Sequence, residues 1–383
     1  MQYRAIGKTG MSASIIGFGG EHLDGKPYAD VQETVNAAME HGINMLDMFM
    51  PGDDIRSNFG KALKGNRDKF IIQGHIGSTD VNEQYDISRD LPTCQKYFEK
   101  LLTNLQTDYI DVGMLFFIDS EEDFEAMCHS DITAYAQKLK QAGIIRAIGA
   151  SSHNPLIAKK VVETGLIDLL MFSINPAFDM VPADGSVFDL MDNPESGKKS
   201  FQGIRPDRLA LYQLCEQRDV AITVMKTLGA GKLLSKEHTP FNQPLTVQQC
   251  IHYALTRPAV VSTMLGFKSR DEVLDAVRYL EMTDSERDYT HVVSSMQNNF
   301  DGHCVYCSHC QPCPVGIDIA SLNKYLDIAK LDEQNVPPSI RHHYSAMENH
   351  GSDCIQCGSC ESRCPFSVPI IGNMEHAVSV FGK

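Results

Sequence analysis

No run of about 18 uncharged apolar residues occurs in this 383-residue chain, so hydropathy predicts no membrane-spanning helix. The N-terminus, MQYRAIGKTGMSASII, lacks the basic region followed by an apolar stretch that marks a secretory leader. A cytoplasmic protein is expected, in a compartment where thiols stay reduced. Positive charge is scarce too: 34 Lys and Arg stand against 49 Asp and Glu, a formal net charge of −15. A polyanion must be met by a basic surface, so this balance argues against nucleic acid as a partner.

Cysteine is present and unevenly placed. Of 12 cysteines, eight lie in the last quarter, as Cys304, Cys307, Cys310 and Cys313, then Cys354, Cys357, Cys360 and Cys364. The runs read C-x2-C-x2-C-x2-C-P and C-x2-C-x2-C-x3-C-P, and the second has the thiolate spacing of bacterial two-cluster iron–sulfur proteins. Three thiolates at two-residue gaps can converge on one soft metal centre while backbone N–H groups point at its sulfurs. Zinc is the alternative, because two distant C-x2-C pairs make a four-thiolate site. Zinc has no use for a third and fourth cysteine in each run, nor for the proline after Cys313 and Cys364. Disulfides are a third reading, opposed by the expected compartment. Two [4Fe–4S] clusters and single-electron transfer are therefore expected. In the usual crossing of this pattern the last cysteine of each run serves the other cluster. One cluster then takes Cys304, Cys307, Cys310 and Cys364, the other Cys354, Cys357, Cys360 and Cys313; the short gap before Cys313 is the departure from the pattern. Cys94, Cys128, Cys215 and Cys250 stand singly in helical patterns and read as small buried hydrophobes.

From residue 12 to about 280 one unit repeats: a short apolar run, a loop, then a helical stretch. The runs are SIIGFGG (14–20), INMLDMF (43–49), KFIIQGH (69–75), DVGMLFF (111–117), IRAIGASS (145–152), LLMFSIN (169–175), AITVMKT (221–227) and VSTMLGF (261–267). Eight such strands separated by one-sided helices predict an α/β fold, a (β/α)8 barrel. YADVQETVNAAMEHG sets Val31, Val35, Ala38 and Met39 on one stripe and ends at Gly42; DITAYAQKLKQAG ends the same way at Gly143. The polar, turn-rich segment 182–202 reads as a loop over the site. The segment 281–303 reads as a polar helix or linker, 319–333 as helix, and PPSIRHHYSAMENHG as a break followed by a further helical turn. The expected division is a barrel over 1–285 and a mainly helical, two-cluster ferredoxin-like domain over 286–383.

Active sites of such barrels lie at the C-terminal ends of the strands. Those ends carry Glu21 and His22, Asp47, His75, Asp119 and Ser120, Ser151, Ser152 and His153, Ser173 and Asn175, then Lys226 and Thr227. After the eighth strand Gly266 precedes Lys268, Ser269 and Arg270 at a helix start, which reads either as an anion site or as an ordinary solvated junction. His75 and His153 are proton-transfer candidates because histidine titrates near neutrality. The plainer reading makes them loop histidines, or packing partners of an aromatic such as Phe116.

The barrel resembles the aldo/keto reductases. The resemblance rests on RAIGKTGMSASIIGFGG, HGINMLDMFMPGDDIRSNFGKAL, DKFIIQGHIG, LQTDYIDVGMLFFID and AGIIRAIGASSHNP, in that order, and the whole chain is similar to the branch with a C-terminal ferredoxin-type 4Fe–4S domain. The resemblance implies carbonyl reduction with NADPH by an Asp, Tyr, Lys and His. Here the Asp matches Asp47, the Tyr falls at Gly52, the Lys at His75 and the His at Phe116. No tyrosine except Tyr85 occurs between Val31 and Thr93. The carboxamide-binding Ser-Asn pair matches Ser151 and Ser152, the strand-six Gln matches Met171, and the arginine that meets a 2′-phosphate falls near Glu272, with Arg270 two residues away. The glycine loops KTLGAGKL (226–233, with Gly229 and Gly231) and GFKSRDEV (266–273) persist, where this fold grips phosphate.

Losing the tyrosine and lysine together removes general acid catalysis that contributes roughly 10²–10⁴-fold. The first expectation is thus an iron–sulfur oxidoreductase passing electrons between two [4Fe–4S] clusters and a small organic substrate or a flavin such as FMN at the C-terminal face. Asp47, His75 and His153 would be its catalytic residues, and Ser151, Asn175, Lys226, Gly229, Gly231, Gly266, Lys268, Ser269 and Arg270 its cofactor-binding ones. Behind it stand an NAD(P)-dependent carbonyl reductase with His75 as the acid, and a non-catalytic electron-transfer or redox-sensing module. A redox partner protein and self-association into a homo-oligomer are left open.

Overall fold

The computed structural model describes all residues except 82–83, 181–203, 294–301, 303, 305, 307–309, 331–332, 337 and 365. The proposed loop 182–202, the C-terminal end of the 281–303 linker and Cys307 thus lie outside the described residues. Two compact units are present: Met1–Asn175, Leu214–Ala230 and Ala259–Glu281 form one, and Pro176–Gln213, Gly231–Pro258 and Met282–Lys383 the other.

All eight expected strands form. They are Ile16–Gly19, Met45–Met48, Ile71–Ile76, Ile110–Leu115, Ile145–Ser152, Leu169–Ser173, Ala221–Met225 and Val260–Gly266. Each pairs in parallel with the next and the eighth closes on the first. Alternate residues of a strand share a face, and this sets the interior in layers. Met45, Ile71, Leu169 and Ala221, the first residues of their strands, join an apolar cluster with Val112, Ala147 and Met264. An antiparallel hairpin that the sequence did not announce, Tyr3–Ala5 with Ser12–Ser14, brings Ile6 and Ala13 into the same cluster. The hairpin therefore plugs the N-terminal mouth. Two residues further along the same strands stand Asp47, Gln73, Met171 and Thr223, so the interior turns polar one layer up.

The helices outside the barrel follow their sequence signals. Tyr28–Glu40 buries Val31, Val35, Ala37 and Ala38, Met39 lies at the edge of that stripe, and Gly42 takes the left-handed φ of +75° after the helix end. Asp131–Gln141 ends in the same way at Gly143, φ +73°. Helix Asp53–Ala62 crosses Leu91–Leu105 so closely that a Cβ at Gly60 would lie 2.3 Å from the Asn104 carbonyl oxygen. An alanine there gains about 1 kcal/mol of helix propensity, but a backbone clash costs roughly 1–3 kcal/mol. Gly60→Ala is expected to lower the urea midpoint, with its m-value unchanged.

In the second unit the segment 319–333 forms helix Ile319–Ala329, capped by Asp318, whose carboxylate accepts from Ser321 N at 3.1 Å. The expected further turn is a full helix, Pro338–Ser345. Ile328, Ala329, Val336 and Ile340 make a small core there, closed by Tyr325, Val380 and Phe381. Among the described residues no helix is long and apolar enough to cross a membrane.

Candidate functional site

The polar layer of the barrel is one hydrogen-bonded chain. Thr223 Oγ1 donates to Gln73 Oε1 at 2.8 Å, and Gln73 Nε2 donates to Asp47 Oδ1 at 2.8 Å. The same carboxylate oxygen meets His75 Nε2 at 2.8 Å. All four side chains are buried. His75 presents its ring edge-on to Phe116, centroids 5.1 Å apart, and faces Phe49 at 6.3 Å. Its other nitrogen, Nδ1, is buried without a hydrogen-bond partner. Leaving a buried polar atom unmade costs about 1–3 kcal/mol, and a site awaiting a ligand is one of the few reasons to carry that cost.

Two elements frame this histidine. A second unannounced hairpin, Ser78–Val81 with Gln84–Ile87, follows the third strand and sets Tyr85, 47% exposed, with its ring 5.8 Å from Phe49. Arg56, fully buried, donates from Nε to the Met50 carbonyl at 2.8 Å and from Nη1 to Tyr97 O at 3.2 Å. It thereby fixes the loop in which Gly52 stands. Burial pushes the Arg56 guanidinium down to about 10.

His153 is in a separate dyad. Its Nδ1 lies 2.9 Å from Asp119 Oδ2, while the other oxygen of Asp119 accepts from His153 N at 2.6 Å and Ser152 Oγ at 3.0 Å. Burial works against the Asp119 charge, but the His153 contacts and the Ser152 hydroxyl outweigh it and hold the carboxyl below its ordinary range. Ser151 Oγ accepts from Phe117 N at 2.8 Å, and Asn175 Nδ2 donates to the Lys226 carbonyl at 2.8 Å. Phe117 and Lys226 both adopt left-handed φ, +57° and +58°, at the ends of the fourth and seventh strands. Such strain in bulky residues gathers at functional sites. Burial lowers the Lys226 ammonium, and Glu21 and Asp119 partly restore it.

The phosphate-loop candidates separate. Gly229 donates its N–H to Lys226 O at 2.8 Å, and Gly231, φ +82°, caps the short 3-10 turn Lys232–Leu234. Gly266 lies against His22, where a Cβ would be 2.5 Å from the ring. At the following helix start the Glu272 carboxylate accepts from Lys268 N at 2.7 Å, Ser269 makes no side-chain cap, and Arg270 pairs with Glu40 at 3.1 Å. This helix start is thus partly filled by the chain's own carboxylate.

In the second unit none of the described cysteines of the two runs stands in a disulfide. Cys313, Cys354, Cys357 and Cys360 line one concavity with Ile317, Ile355, Met374 and Arg363. No three His, Cys, Asp or Glu side chains among the described residues stand at metal-binding distance, but the donor set of four thiols around one apolar hollow fits an iron–sulfur cluster. Gln356 N points at Cys354 Sγ, 3.4 Å away. The Ser359 hydroxyl and N–H lower the exposed Cys357 thiol, and burial raises Cys360. The two runs interlock: Arg363 Nη2 donates to the carbonyls of Cys310 and Pro312, both at 2.7 Å, and Gly302 N donates to Phe366 O at 2.6 Å. Cys304, Cys310 and Cys364 belong to this interlocked region, whereas Cys94, Cys128, Cys215 and Cys250 are buried elsewhere.

Residues 15–197 match the aldo/keto reductase family, and residues 303–368 match the 4Fe–4S dicluster domain. The chain carries an aldo/keto reductase domain and a 4Fe–4S dicluster domain. It is an oxidoreductase of the aldo/keto reductase type. L-galactose dehydrogenase of Arabidopsis thaliana is 26% identical over 291 residues, 72% of this chain and 87% of that one. Aldo-keto reductase YhdN of Bacillus subtilis is 32% identical over 168 residues, 40% of this chain and 47% of that one. An aldo-keto reductase structure from Bacillus halodurans superposes with TM-score 0.57 at 22% identity, covering 78% of this chain and 97% of that one, a likeness of fold.

Within the barrel, the sequence points to Asp47 and His75 but not to Gln73, Thr223 or Arg56. Gln73 was within reach, because alternation in KFIIQGH places it on the interior face with His75. Arg56 carried no signal, since an arginine on a helix is usually solvated.

Proposed function

We propose that this chain is an iron–sulfur oxidoreductase that acts on a small organic substrate at the C-terminal end of the barrel, with His75 moving the proton. The supporting observation is the buried Nδ1 of His75, which lacks a partner while Nε2 is held by Asp47. As an imidazolium the ring would give its Nδ1 proton to substrate oxygen and keep the Nε2 proton on Asp47. Asp47 would stabilise the charged ring and set its orientation, and Gln73, fixed in turn by Thr223, would hold Asp47. Phe49 and Phe116 would keep water from the proton being moved.

The proposed ligands are Cys304, Cys307, Cys310 and Cys364 for one [4Fe–4S] cluster and Cys354, Cys357, Cys360 and Cys313 for the other. Bound clusters supply electrons one at a time. A flavin such as FMN would convert these into two-electron chemistry, and its proposal rests on that need. Ser151, Asn175, Lys226, Gly229 and Gly266 are the barrel residues proposed to hold it. His153 with Asp119 is the second proposed proton-transfer pair, and a one-electron carrier protein the proposed partner. A cytoplasmic location goes with reduced thiols.

A nicotinamide reductase with His75 as acid is the second reading, favoured by the aldo/keto reductase match. Glu272 on Lys268 N, and Arg270 drawn to Glu40, weigh against a 2′-phosphate there. The test is a spectrum of anaerobically purified protein before and after extraction, with NADH and NADPH titrations. Broad cluster absorbance with a released flavin is expected. Absorbance without a released chromophore sinks the flavin, binding of NADPH favours the second reading, and absence of iron and sulfide removes the first.

A further inference from the structure

The two cysteine runs stand in different surroundings. Cys357 of the second run is exposed, and its neighbour Ile355 is 60% exposed. The first run instead carries Tyr306, buried and held at a left-handed φ of +57° between Cys304 and Cys307. Its hydroxyl donates to Asp327 Oδ2 at 2.9 Å. Over its ring lies the fully buried guanidinium of Arg257, 5.5 Å from the centroid. Arg257 also stacks on Tyr253 at 4.4 Å and donates from Nη2 to Tyr289 Oη at 3.2 Å, and the rings of Tyr253 and Tyr289 meet edge-on at 5.1 Å. The buried carboxylate at the far end of this group, Asp179, accepts from Tyr253 at 2.7 Å and is paired with Arg208 at 3.4 Å. Its charge is therefore shared with a second arginine.

An arginine does not deprotonate inside a protein, so Arg257 is a fixed positive charge linked to the first run through one aromatic ring. One-electron reduction of a [4Fe–4S] cluster adds one negative charge. Burial alone disfavours that charge, which makes a buried cluster the poorer acceptor. A fixed cation in the same low-dielectric interior acts against that effect and against the Asp327 carboxylate, because its field is screened far less than that of a surface charge. We infer that Arg257 is a tuning residue that makes the cluster of the first run the better electron acceptor of the two. The exposed second run then takes the electron from an external one-electron carrier, and the first run retains it.

The inference rests on the iron–sulfur reading above, and the experiment separates the two. Full-length protein is first assayed for iron and sulfide, then titrated redox-potentiometrically with detection by electron paramagnetic resonance. Arg257→Gln is expected to move one midpoint to lower potential and leave the other in place, while Arg257→Lys, which keeps the charge, moves it much less. Asp327→Asn, which removes a carboxylate from the Tyr306 hydroxyl, is expected to move the same midpoint upward, and it decides the matter should Arg257→Gln not fold. Iron and sulfide present with both midpoints unmoved, or both moved equally, in the variants that fold overturns the role of Arg257. Iron and sulfide absent from the wild type overturns the cluster reading itself, and the inference with it.

Discussion

His75→Ala lowers turnover by about 10²–10⁴-fold, the range that a positioned general acid contributes, and leaves iron and sulfide content unchanged. The fall is expected in kcat, with KM nearly constant, because the imidazole is proposed to act on the oxygen as charge develops and not in ground-state binding. Reduced viologen serves as one-electron donor in the assay. Asp47→Asn keeps the shape of the site but removes the carboxylate that holds His75 Nε2 at 2.8 Å, so its turnover is expected to fall as well, again with iron and sulfide retained. Full turnover in His75→Ala would remove the proton-transfer role and favour the non-catalytic electron-transfer module.

The barrel was legible because its signal is periodic. Eight apolar runs alternating with helical stretches leave few alternatives, and the strand ends carry most of the polar residues that now face one another. The two hairpins were not legible. Each has strands of three or four residues, too short for an alternation pattern to stand out, and each is specified by what it covers: the barrel mouth for one, Phe49 for the other. Asp47 and His75 could each be read from a strand end, but the orphan Nδ1 could not, since it depends on Phe49 and Phe116 closing the ring off from other polar groups. The Tyr306 and Arg257 contact was hidden for a related reason. These residues are 49 positions apart, and nothing local marks an arginine in a helix-to-strand turn as the buried neighbour of a cysteine run.

Cys313→Ser is expected to remove the cluster of the second run, although Cys313 belongs to the first. Two [4Fe–4S] clusters require about eight irons per chain, so the variant should hold about four, with the retained signal that of the first run. Cys313 lines the concavity of Cys354, Cys357 and Cys360, and Arg363 ties the carbonyls of Cys310 and Pro312 to the second run just beside it. Cys364→Ser should have the complementary effect, removing the cluster of Cys304, Cys307 and Cys310. The short two-residue gap before Cys313 is compatible with the proposed crossing, because Gln311 turns the chain there: its Nε2 donates to Ile317 O at 2.7 Å and its Oε1 accepts from Cys313 N at 2.7 Å. Gln311→Ala should therefore weaken the second-run cluster alone. Were Cys313→Ser to lose the cluster that Cys304→Ser also loses, each run would serve its own cluster, and the interlock at Arg363 would be a packing contact with no part in ligation.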